Sequence, residues 1–201
     1  MTDTALTRER ILETAEDVLR RYGPSKATVV DVARILGVSH GSVYRHFASK
    51  AALREAVTKI WLARVSDPLE AIVAEETPAA ERLHRWLAEL SAIKRQRLFD
   101  DPELFATYVA LTLEAREVVA NHITHLIEQL TRIIQDGAAR GEFVSDDPIQ
   151  TSRAILSATA RFHNPAHASE WAHPETDADF EAVWALILRG LHTHTNEENT
   201  R

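Results

Sequence analysis

Apolar residues recur at helical spacing almost throughout this 201-residue chain, and no segment alternates as a half-buried strand would. Leu6, Ile11, Ala15, Val18, Leu19 and Tyr22 form a first stripe, which Gly23-Pro24 ends. Val29, Val32, Ala33 and Leu36 form a second. Thr28 is placed to cap it, with Asp31 three residues on. Gly37-Val38-Ser39 is a short turn. Ser39 is expected to cap a third helix over 40–47, and Ser49 a fourth that starts at Lys50 and is bent or interrupted at Asp67-Pro68. Pro78, Asp101-Pro102 and Asp147-Pro148 open helices that read to about residues 97, 115 and 162. Residues 117–139 form a long amphipathic helix, with Gly137 and Gly141 at its frayed end. Residues 164–176 hold two prolines and read as a loop, 177–192 as the last helix, and 196–201 as a frayed polar tail. The expectation is an all-α protein of about nine helices.

Composition agrees. Thirty Ala and only 6 Gly favour helix, and 45% apolar residues suffice for a sizeable core. Zero Cys excludes disulfides, thiolate metal sites and thiol catalysis. The N-terminal residues MTDTALTRER hold no apolar signal segment, and no stretch approaches the roughly 18 apolar residues of a membrane helix. A soluble, cytoplasmic protein with no membrane contact is expected. Its charge is uneven: residues 1–50 hold 8 Lys/Arg and 6 Asp/Glu, and the rest bring the total to −7. A mildly basic end on an acidic body suits a polyanionic partner, although an excess of two charges also arises by chance.

Two short helices joined by Gly37-Val38-Ser39, with a third before them, have the layout of a helix-turn-helix. The tight turn needs a left-handed backbone at Gly37. Val32, Ala33 and Val38 are expected to bury the angle between the helices. Gly41 and Ser42 are small enough to let the backbone approach DNA closely. In such a pair the second helix enters the major groove by its N-terminal residues. Tyr44, Arg45 and His46 then carry polar tips to where phosphates or bases lie, and the capped helix starts at Thr28, Ser39 and Ser49 offer N–H groups to phosphate oxygens.

The segment TVVDVARILGVSHGSVYRHFASKAAL, residues 28–53, resembles the DNA-binding segment of the tetracycline-repressor (TetR) family. Thr28, Val32-Ala33, Gly37-Val38-Ser39, Gly41-Ser42, Tyr44, His46-Phe47, Ser49-Lys50 and Leu53 carry the match, and the likeness extends over 6–55. Val32 for Ile, Ser42 for Thr and Val43 for Leu are conservative departures. His40 stands where a basic or polar residue is common, and bears on base preference. The resemblance implies a homodimeric regulator on a near-palindromic duplex operator, usually a repressor released by a small-molecule ligand. It implies that Thr28, Tyr44 and Lys50 hold the phosphate backbone. Ser39, His40, Gly41, Ser42, Arg45 and His46 would lie on the edge presented to DNA, unless His46 merely caps its helix. It divides the chain into a DNA-binding domain over 1–50 and a helical effector-binding and dimerisation domain over 51–201.

Beyond residue 55 the architecture alone guides the reading. An effector cavity is expected among the central helices, closed by the helix ending at His163. Trp61, Trp86, Leu90, Phe105, Tyr108, Leu126 and Phe162 would suit a mostly apolar ligand. His122 falls on an apolar stripe and is expected to line that cavity, or else to be a hydrogen-bonded core histidine. His122, His163 and His167 are candidate metal ligands, against the plainer reading that the loop histidines are solvated. His125 is placed with Gln129 and Arg132 on the polar face. Helices 147–163 and 177–192 are apolar on more than one face, which places the dimer contact there.

Two other classes are open on the sequence. Glu81-x-x-His84 and Glu170-x-x-His173 have the spacing of a di-metal helical enzyme, but the second falls in the Pro-flanked loop. A DNA-binding module with no effector would show a filled core. No Gly-rich phosphate loop and no Gly-x-Ser-x-Gly is present. No cofactor is expected beyond the unknown effector, and no enzyme activity.

Overall fold

The structure, a computed structural model, describes residues 6–192. The tail 196–201 lies outside the described residues. These are all-α, with no strand among them. The helices are α1 (Arg8–Lys26), α2 (Val29–Leu36), α3 (His40–Tyr44), α4 (Lys50–Val73), α5 (Ala79–Asp100), α6 (Pro102–Glu114), α7 (Arg116–Ala139), α8 (Pro148–Ala158), α9 (Ala160–His163) and α10 (Thr176–Leu191).

The helix starts follow the capping chemistry. Thr28 and Asp31 form a reciprocal capping box on α2. Ser39 accepts from the Ser42 N–H at 3.2 Å and Ser49 from the Ala52 N–H at 3.0 Å. Asp101 and Asp147, each followed by Pro, accept from Leu104 and Gln150 at 2.9 and 3.0 Å. Gly37 ends α2 in the left-handed region at φ 68°.

Four expectations are corrected. The third helix stops at Tyr44, because the His46 N–H reaches back only three residues, to the Val43 carbonyl at 3.0 Å. α4 runs unbroken through Pro68, which lies on its exposed face, where water can serve the carbonyl left without a donor. The helix expected to reach Phe162 breaks at Thr159, whose hydroxyl donates to the Ile155 carbonyl at 2.9 Å. The segment after it is no plain loop: Pro165–Glu170 is a 3-10 turn, and the buried Trp171 indole donates to the Arg161 carbonyl at 2.9 Å.

The described residues divide into two compact units. One comprises the chain up to Arg64 together with Arg97–His122, and the other Val65–Gln96 with the chain from Ile123 onward. The core of the first joins Ile11, Val18, Val32, Val43, Phe47 and Trp61 to Tyr108 and Leu111 of α6. Helix α1 packs on both α2 and α6. The core of the second is built on Leu69, Leu83, Trp86, Leu90, Leu130, Ile133 and Phe180.

Candidate functional site

The three-helix head is held by its core and presents one polar edge. Val43 and Phe47 are buried, while Arg8 stacks on the Phe47 ring at 4.1 Å and donates to the His46 carbonyl at 3.0 Å. Thr28, Ser39, His40, Gly41, Tyr44 and Arg45 are exposed; Ser42, His46 and Lys50 are half-buried. His40 and Tyr44, one turn apart, meet edge to face at 6.4 Å. Arg45 donates to the Ser42 hydroxyl at 3.1 Å, and that hydroxyl lies 2.9 Å from that of Ser39. The Thr28 hydroxyl is 2.6 Å from Asp31, and this bond holds the Asp31 carboxyl below its usual range. Thr28 therefore spends its hydroxyl hydrogen inside the capping box.

The candidate effector residues separate into two groups. Trp61, Phe105 and Tyr108 come together in the first unit, on a cavity of about 330 Å³ between α1, α4, the end of α5 and the start of α6. Glu16, Arg20, Arg64, Arg97, Asp100, Asp101 and Leu104 complete its lining. Trp86, Leu90, Leu126 and Phe162 instead fill the core of the second unit. His122 is half-buried, in the first unit. Burial pushes the Tyr108 phenol up to about 12. Arg64 grips Glu16 at 2.8 and 2.9 Å, and Arg20 lies 3.4 Å from Asp101.

Gln129 departs from the polar face expected for it. It is wholly buried: it accepts from the Trp86 indole at 2.9 Å and donates to the Ser66 carbonyl at 3.1 Å. A buried amide satisfied on both ends fixes how α4, α5 and α7 meet within that unit. Only a helical polar residue flanked by apolar ones hinted at it. An open polar hollow of about 600 Å³ lies nearby, and its Arg82, Arg132 and Arg140 are matched by Asp136, Glu70 and Glu142.

Three histidines are individually engaged. His163 faces the Leu156 carbonyl at 3.2 Å, and burial, helped by the Lys94 charge, pushes it down to about 4. His167 pairs with Glu170 at 2.9 Å, so it is held rather than merely solvated. His84 pairs with Glu181 at 2.9 Å. Among the described residues no three His, Asp or Glu side chains gather as a metal site.

Two family models match. The model described as bacterial regulatory proteins of the tetR family covers residues 11–57, and the tetracyclin repressor-like C-terminal domain covers 79–184, more than half the chain. The nucleoid occlusion factor SlmA of Vibrio atlanticus is 28% identical over 90% of this chain and 93% of its own. The HTH-type transcriptional repressor BepR of Brucella suis is 25% identical over 96% of each. The regulator FadR of Bacillus subtilis, solved in complex with stearoyl-CoA, shares the fold at a TM-score of 0.65 and 18% identity, over 92% of this chain and all of that one. With the head, its exposed edge and both family models in agreement, the chain belongs to the tetR family of bacterial regulatory proteins and is a DNA-binding transcriptional regulator.

Proposed function

We propose that the protein is a cytoplasmic repressor that binds a near-palindromic duplex operator as a homodimer and leaves it when a small-molecule effector binds. It acts by binding and not by catalysis. Residues 1–50 carry the DNA contact, and the remainder carries dimerisation and effector sensing. The observation that carries this reading is the exposed edge of α3, set on a buried core and flanked by capped helix starts. BepR is a repressor and FadR binds a ligand, which supports the sign and the mode of regulation.

In this reading Tyr44 and Lys50 hold phosphates, and the first-turn N–H groups behind Thr28 assist them. Ser39, His40, Gly41, Ser42, Arg45 and His46 face the bases. The partner copy covers α8 and α10, where Ile149 is 53% and Leu186 63% exposed.

Selection of bound duplexes from a random pool tests the assignment. The wild type should enrich a near-palindrome. His40→Ala and Arg45→Ala should each relax the preference at particular positions, costing about 1–3 kcal/mol of discrimination there. Unchanged preferences in both variants would place base reading elsewhere.

A further inference from the structure

Trp61 is 2% exposed, and its indole N–H is buried with no hydrogen-bond partner among the described residues. A buried indole N–H ordinarily finds an acceptor, and one left without costs free energy. Trp61 also lines the 330 Å³ cavity, a volume in the range of small-ligand sites.

The same cavity holds one arginine without a direct ion pair among the described residues. Arg64 is paired with Glu16, and Arg20 lies against Asp101. Half-buried Arg97 donates to the Trp61 carbonyl over a long 3.4 Å, forms no ion pair with a carboxylate of the described residues, and feels Glu16 and Tyr108 only at a distance. Asp100 is exposed at the rim. Two rings complete the wall: Tyr108 lies 5.6 Å from Trp61 and 6.2 Å from Phe105.

We propose that this cavity is the effector site and that it takes a small aromatic carboxylate. The carboxylate pairs with Arg97 and, as the covered edge of the indole turns toward it, accepts from the Trp61 N–H, while the ring lies against Phe105 and Tyr108. Burial lowers the proton affinity of the Arg97 guanidinium, the Arg64 charge adds to this, and Tyr108 and Glu16 offset it only in part, so an anion beside Arg97 relieves the remaining cost. The inference rests on the reading of the protein as an effector-released regulator.

The position also supplies the coupling. Glu16 and Arg20 of the wall belong to α1, a helix of the DNA-binding head, and Tyr108 shares the core of that head. An occupant that spreads α6 from α1 therefore acts on the head directly. It releases DNA to the extent that it binds the DNA-free arrangement more tightly.

Calorimetry on the full chain with benzoate, indole-3-acetate and 2-naphthoate, each against its neutral amide, tests the site. At least one carboxylate should bind about tenfold or more tightly than its amide. Arg97→Gln should remove that preference, Arg97→Lys should keep part of it, and Trp61→Phe should weaken the carboxylate while the ring wall stays intact. Equal binding of all three pairs, or a preference that survives Arg97→Gln, overturns the proposal. Duplex selection without ligand is read separately: failure there sinks the regulator reading, whereas a bound duplex with no carboxylate preference sinks only this site. Release of the selected duplex by the preferred carboxylate, lost in Arg97→Gln, supports the site as the effector site, and binding without release overturns that role.

Discussion

At the scale of single residues, the side chains that matter most are those whose surroundings disagree with their type. His163 is the clearest. Its ring is held neutral by burial and by Lys94, with a value of about 4 in the folded protein against about 6.5 when unfolded. Below pH 6.5 the unfolded chain takes up this proton first. Stability is therefore whole above about 6.5, falls as the pH drops toward 4, and levels off below it. Between pH 7 and pH 5 the loss from this residue should be about 2 kcal/mol. Urea titrations at the two pH values, on the wild type and His163→Gln, check it: the variant should lose less stability on acidification. An equal loss in both would mean that His163 is protonated without penalty. The sequence placed His163 at a helix end but gave no sign of this burial, which other parts of the fold impose. The caps at Thr28, Ser39, Ser49, Asp101 and Asp147 were legible for the opposite reason. Each reaches only three residues along the chain, so the relevant geometry is written locally.

At the scale of elements, the type of the helices and roughly their number followed from periodicity, and the errors cluster where a local signal met a packing demand. Gly137 read as the fraying end of α7. It is a contact point instead: a Cβ there would lie 2.4 Å from the Phe143 ring and 2.8 Å from the Ala79 Cβ at the start of α5. Gly137→Ala should destabilise the protein by about 1–3 kcal/mol through overpacking, although alanine is the better helix former. A denaturation midpoint equal to or above that of the wild type would show that Phe143 moves aside freely. Gln129 makes the same point, since its amide is satisfied by Trp86 and Ser66, from helices distant in sequence. The candidate site was legible to a similar extent. The polar edge of α3 was readable because the helix-turn-helix is one continuous segment. Of the effector candidates, Trp61, Phe105 and Tyr108 do share a cavity, but Arg97, Glu16 and Arg20 were missed. A helical wheel locates a stripe, and does not tell which stripe a neighbouring helix leaves uncovered.

At the scale of the whole molecule, the acidic net charge of −7 coexists with a role on DNA because the charges are distributed unevenly and the head carries the small positive excess. The proposed homodimer should give way when the exposed apolar strip of α10 is charged. Leu186→Arg is the suitable variant, since Leu186 is 63% exposed and its loss leaves the core intact. Sedimentation should show a monomer at micromolar concentration, and a persistent dimer would place the contact on another face. On the proposed reading the head grips the phosphate backbone through the α3–α4 corner. The most direct test is the salt dependence of binding to the selected duplex, for the wild type and for Lys50→Ala. Lys50→Ala should weaken every duplex alike and reduce the slope of log K against log salt by about 1. A variant that keeps both the affinity and the slope of the wild type would show that Lys50 holds no phosphate.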